Sequence, residues 1–151
     1  LILTARRAEK LAGIKAQLEA KGTKVRTLVF DVRDAEAAKQ AIGSLEAEWQ
    51  TIDVLINNAG LALGLEKEYE GDPEDWNTMI DTNIKGLLTM TRLIVPAMVE
   101  RNEGHVINIG SVAGDAAYAG GNVYCEDHNR WLADRRSRIG STRDEREART
   151  R

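Results

Sequence analysis

The sequence predicts an α/β fold built on a partial, doubly wound parallel sheet with helices on both faces. Three observations carry that expectation. Short apolar runs at Leu1–Leu3, Val25–Phe30 and Asp53–Ile56 alternate with two segments that have apolar residues at helical spacing. Strands that alternate with helices in this way form parallel βαβ units. Further on, Val106-Ile107-Asn108-Ile109 is a β-branched run bounded by Gly104 and Gly110, which reads as a parallel strand buried on both faces. Right-handed crossovers then make the sheet Rossmann-like.

Each element follows from its residues. Leu1-Ile2-Leu3 starts the sequence in mid-strand. Ala8 to Lys21 is a helix with Leu11, Ile14 and Leu18 on one face, and Gly22 is placed to end it. Val25 to Phe30 is the second strand, closed by Asp31-Val32. Asp34 can cap a second helix whose buried stripe is Ala38, Ala41, Ile42, Leu45 and Trp49. The third strand ends at Asn57-Asn58-Ala59-Gly60. Asp72-Pro73-Glu74-Asp75 opens the longest helix, with a cap residue, Pro at the first helical position and acids at the positive end of the dipole. Its stripe of Trp76, Met79, Ile80, Leu87, Thr91, Ile94 and Met98 reaches about Arg101, and Pro96 is expected to bend it. Asn83 falls inside that stripe, so its amide needs buried partners.

Bulk composition excludes several classes. The 151 residues suffice for one domain. A net charge of −3 offers no field for nucleic acid or a membrane surface. No apolar run reaches the roughly 18 residues of a membrane-spanning helix. Cys125 is the single cysteine, which fits a reducing cytoplasm. His105 and His128 are too far apart to suggest a local metal site, and none is expected.

Ser111 lies just past the carboxyl end of the Val106–Ile109 strand, where open α/β sheets place ligands. A Gly- and Ala-rich loop leads from it to Tyr124, and His128 follows one helical turn later. Ser111, thirteen residues before Tyr124, together with Asn57-Asn58-Ala59-Gly60 and Asn83-Ile84-Lys85-Gly86, resembles the short-chain dehydrogenase/reductase family. The segments Asn58 to Gly64, Met79 to Asn83 and Gly120 to Tyr124 look like its NADP-dependent 3-hydroxy acid dehydrogenases, which act on serine and related acids. The resemblance covers residues 1–124.

That resemblance implies an oxidoreductase that moves hydride between NADP and a hydroxyl or carbonyl substrate. Ser111 would orient the substrate oxygen, Tyr124 would be the acid/base, and Asn83 would help hold a water. Asp31 and Val32 would lie by the adenine, and Asn58, Ala59 and Gly60 by its ribose. Arg6 and Arg7 follow the first strand with no acid before Glu9. An acid there suits the ribose 2′-hydroxyl of NAD, whereas arginines suit the 2′-phosphate of NADP. On the residues alone, the alternative is a pair of solvated charges at a helix start.

Two departures stand out. The family's Tyr-x-x-x-Lys appears as Tyr124-Cys125-Glu126-Asp127-His128. An imidazole with a reference pKa of about 6.5 is mostly neutral at pH 7, so His128 is a poor source of the cation that a catalytic phenol needs. The family's opening strand and Gly-rich turn have no counterpart before Leu1. The expected organisation is therefore a partial Rossmann domain over residues 1–128. An Arg-rich tail follows over residues 129–151, with no strand pattern, expected to be disordered or aberrant (a frameshift, chimaera or truncation). Taken alone, such a fragment is expected to be inactive. The rival reading is a non-catalytic Rossmann relic, or an association module that forms a homo-oligomer through the helix starting at Pro73.

Overall fold

The computed structural model of the chain describes residues 1–64, 66–114, 121–127 and 137–139. Strand β1 (Ile2–Ala5), helix α1 (Ala8–Glu19), β2 (Arg26–Val29), α2 (Ala35–Gly43) and β3 (Val54–Asn57) alternate as expected. Helices α3 (Pro73–Met79) and α4 (Leu87–Arg101) precede β4 (Gly104–Asn108), and α5 (Asn122–Asp127) and β5 (Ser137–Ile139) follow it. β1 pairs parallel with β2, and β3 pairs parallel with β4.

The described strands form two sheets, β1-β2 and β3-β4-β5, in keeping with the expected partial Rossmann-like α/β fold. No described strand joins β1 to β3, and a cavity of about 870 Å3 lies between their facing edges. All the parallel strands point the same way. Past their carboxyl ends, Val32 packs on Gly86 and Leu61 bonds to Asn83, both within Ile80–Gly86. At the opposite end Lys24, ahead of β2, pairs with Glu48, which precedes β3.

α2 and α4 cover one face, and the core between them and the strands is Leu28, Phe30, Ala38, Leu45, Leu55, Met90, Ile94, Met98 and Val106. Leu55, between exposed Val54 and Ile56, shows the period of two that a strand covered on one face requires. Asp34 does cap α2, accepting from Ala37 N at 2.9 Å. That helix stops at Gly43, where the Ser44 hydroxyl donates to Ala41 O at 2.8 Å, and Leu45 and Trp49 reach the core from the turns beyond it. On α1 only Leu11 is buried and Ile14 is 47% exposed. Gly22, at φ +82°, ends it as expected, with Thr23 N donating to Leu18 O.

The long helix departs most from expectation. Asp72 caps it, accepting from Glu74 N at 2.9 Å. Between α3 and α4, however, Ile80–Gly86 winds in wider π-type turns. Such turns occur where side chains need re-aiming, and Asn83 lies at their centre. α4 runs through Pro96 to Arg101 and ends at Asn102 in the left-handed conformation.

Only Val106 of the expected strand Val106–Ile109 is fully buried, and Ile109 lies beyond β4 and is 52% exposed. The expectation of no strand after residue 128 fails at Ser137–Ile139, which pairs antiparallel with Gly104–Val106. Backbone pairing satisfies the edge of β4 whatever the side chains, so a polar segment can do it. The remaining tail residues and His128 lie outside the described residues. Among the described residues no helix is long and apolar enough to cross a membrane.

Candidate active site at the carboxyl ends of the strands

The polar groups of the site come from the turns that stop each parallel strand. β1 ends at Ala5, and Arg6 and Arg7 lead directly into α1, with Arg7 at its N-cap and making no capping bond. Arg6 has a side chain 56% exposed, with Nη1 3.8 Å from Asp31 Oδ2. Asp31 follows β2, and a residue that sequence reasoning missed occupies its carboxylate. Arg33 donates from Nε to Oδ1 and Oδ2 at 3.1 and 3.0 Å, and from Nη2 to Oδ2 at 2.7 Å. The Arg33 guanidinium holds the Asp31 carboxyl below its ordinary value, with a smaller push from Arg6. Arg33 bonds the acid directly, whereas the guanidinium of Arg6 stands farther off as an ion-pair partner. The run Asp31-Val32-Arg33 carried the signal, since opposite charges two apart across a strand-ending turn can fold onto each other.

β3 places a buried amide at its own end. Asn57 is 8% exposed, and its Nδ2 donates to Thr91 Oγ1 at 3.1 Å and to Asn108 Oδ1 at 2.9 Å. Asn108 is its register partner on β4, and the Thr91 hydroxyl donates on to Leu87 O. The chain links strand, strand and helix below the loop. Asn58, Ala59 and Gly60 follow on that loop, and Asn83 holds them from above. Its Oδ1 accepts from Leu61 N at 2.9 Å, and its Nδ2 donates to Leu61 O at 2.9 Å. At 6% exposure, this two-way clamp supplies buried partners of the kind its place in the stripe required. Gly60 lies against it, so that a Cβ there would sit 3.5 Å from Asn83 Oδ1.

Arg6, Arg7, Asp31, Val32, Asn58, Ala59 and Gly60, the seven positions expected to bind cofactor, all line the one cavity between β1 and β3. Ser111 and Tyr124 are not among the residues that line it. Ser111 follows β4, and its Oγ accepts from Ala113 N at 3.2 Å at the start of a short turn, Val112–Gly114. That bond uses an acceptor and leaves the hydroxyl proton to donate. Tyr124 is half-buried on α5, which packs on this turn, on Ile80–Gly86 and on α3. The elements that carry Ser111, Tyr124 and Asn83 thus meet.

The short chain dehydrogenase family matches residues 1–126 of the chain. An NADP-dependent 3-hydroxy acid dehydrogenase of Salmonella typhi is 56% identical over 124 residues, 82% of this chain and 49% of the relative. Among solved structures, serine dehydrogenase from Escherichia coli superposes with a TM-score of 0.79 at 53% identity, over 84% of this chain and 57% of that one. The closed form of serine dehydrogenase complexed with NADP+ matches with the same score and identity, over 84% and 50%. The chain spans about half the length of the curated relatives it matches.

Proposed function

We propose that this chain, which belongs to the short-chain dehydrogenase family, is the NADP-binding part of an oxidoreductase acting on a 3-hydroxy acid such as serine. The observation that carries the reading is the convergence of seven candidate cofactor residues on one cavity, with exposed arginines at its rim. The donor set fits a phosphorylated dinucleotide. Arg6 and Arg7 would hold the 2′-phosphate by charge-assisted bonds. Val32 and Asn58 to Gly60 would flank the adenosine. When bound, the cofactor supplies the hydride acceptor or donor.

The protein's own part is proton handling and orientation. Ser111 would donate its hydroxyl proton to the substrate oxygen while its Oγ stays fixed by Ala113 N. Tyr124 Oη would exchange a proton with that oxygen. Asn83 serves by clamping Leu61, which sets the height of the Asn58–Gly60 loop. His128 stands where the family carries lysine, and a neutral imidazole does not lower a phenol's pKa as an ammonium does. The chain by itself is therefore expected to oxidise neither serine nor other 3-hydroxy acids.

Association with a second copy fits the helix that begins at Pro73, because Leu88 and Val99 on its α4 portion are 55% and 59% exposed. A free, buried Cys125 fits a cytoplasmic setting.

Cofactor titration tests the reading. NADP should bind more tightly than NAD, and Arg6→Ala with Arg7→Ala should weaken NADP about tenfold or more while leaving NAD nearly unchanged. Equal losses for the two cofactors would overturn it.

A further inference from the structure

Arg6, Asp31 and Arg33 gather at the ends of β1 and β2, and they are unequally engaged. Arg6 and Asp31 line the cavity, whereas Arg33 does not. Arg33 nevertheless makes every hydrogen bond that the Asp31 carboxylate receives among the described residues, from its backbone N at 3.0 Å as well as from Nε and Nη2. An exposed ion pair is usually weak, because two long side chains must be held in one geometry. Here the geometry is local. Asp34 N donates to Asp31 O at 3.0 Å, and Asp34 then caps α2, so the turn that carries both partners is tied down. A planar guanidinium fork loses little freedom when it bonds in this way. Asp81, on the π-type turns, adds a weaker attraction to the same guanidinium and is itself paired with Lys85 at 2.7 Å.

Arg6 stands in a different relation to the same acid. Its Nη1 is 3.8 Å from Asp31 Oδ2, too long for a hydrogen bond. Arg33 Nη2 already donates to that oxygen at 2.7 Å. Without Arg33, the carboxylate would have Arg6 as its ion-pair partner among the described residues. A direct pair between them would occupy the Arg6 guanidinium, and an anion that needs Arg6 would have to displace the acid first.

We propose that Arg33 is a positioning residue for cofactor choice: by holding Asp31 to itself, it keeps that acid from capturing Arg6, so that Arg6 meets the 2′-phosphate of the dinucleotide. The inference rests on the NADP reading of the cavity and adds to it a residue that lies outside the cavity. It makes a definite statement about coupling. Arg33 matters to phosphate recognition only while position 31 is an acid, because Asp31→Asn removes the competitor and leaves Arg33 nothing to restrain.

The test compares adenosine 2′,5′-bisphosphate with adenosine 5′-monophosphate by calorimetry on the 151-residue chain. Both probes carry the same adenine and ribose, so the ratio of their affinities isolates the 2′-phosphate. Arg33→Gln should lower that ratio about tenfold, the scale of one charge-assisted contact. Arg33→Lys should lower it less, because an ammonium keeps the charge without the fork. In an Asp31→Asn background, Arg33→Gln should leave the ratio within about twofold of that of Asp31→Asn alone. This pair of variants leaves no carboxylate unpaired, so it carries the comparison even where Arg33→Gln alone fails to fold. A merely structural Arg33 would shift both probes together, or move the thermal midpoint without the ratio, and either result would overturn the proposal. So would a fall that persists with Asp31→Asn, which would mean that Arg33 holds the phosphate itself. A parent with no preference for the bisphosphate would overturn the NADP reading and this inference with it. A preference lost with Arg6→Ala but kept with Arg33→Gln would overturn this inference alone.

Discussion

The two walls of the cavity solve the same problem in opposite ways. On the β1–β2 side, the polar groups at the strand ends are charged and reach solvent. Arg6, Asp31 and Arg33 have side chains 56%, 25% and 37% exposed. On the β3–β4 side they are neutral amides at 8% and 6% exposure, Asn57 and Asn83, tied to backbone and to each other's neighbourhood. Exposed ion pairs contribute little to stability because water screens them and their side chains lose entropy. Buried amides contribute through the cost of leaving their partners unmade. One wall therefore presents exposed charge to solvent, while the other fixes backbone geometry.

Substitutions can break that contrast, and the largest effect should come from the buried wall. Asn83→Ala removes both ends of the clamp and strands the N–H and C=O of Leu61, so it should cost about 3 kcal/mol in urea denaturation. A loss no greater than that of an exposed charge would erase the distinction between the walls. Asn57→Ala is expected to cost about 2 kcal/mol, because Asn108 and Thr91 can each recover part of their bonding from water at the strand ends. The double variant Asn57→Ala with Asn108→Ala should lose less than the sum of the singles, since they share one bond.

The joint between the walls comes next. A Cβ on Gly86 would lie 2.8 Å from Val32 Cγ2, and a β-branched side chain has little freedom to yield. Gly86→Ala should destabilise by about 1 kcal/mol after the gain in helix propensity. Adding Val32→Ala should recover most of that loss, and thermal melts of the pair measure it.

The smallest effect belongs to the charged wall. Asp31→Asn should change stability at neutral pH by less than about 1 kcal/mol. Its signature is in the pH profile. The carboxyl's folded pKa is depressed by Arg33, so its contribution is present above the ordinary carboxylate value. It is lost as pH falls through the folded one, below about pH 4. The urea midpoint of the parent should therefore decline more steeply over that range than that of Asp31→Asn. Identical acid profiles would show that the Asp31–Arg33 pair carries no linkage.

Local pattern was enough for most of the fold. Periods of two and 3.6 placed β1 to β4 and the helices, Asp34 and Asp72 announced their caps, and Gly22 its left-handed turn, because each depends only on neighbours a few residues away. Asn83 was legible as a buried amide from its place in an apolar stripe, and the strand-end motifs lie along one cavity. What the tertiary structure alone decided is which groups meet. That Asn83 clamps Leu61, that Arg33 rather than Arg6 bonds Asp31, and that Ile80–Gly86 widens all depend on long-range approach or on a turn's exact path. Ser137–Ile139 could pair with β4 without any strand pattern, because the pairing uses backbone that every residue carries. Sequence can specify a strand's faces through its side chains, but its edges are bare peptide, and only the assembled molecule determines which edges are paired and which stay open.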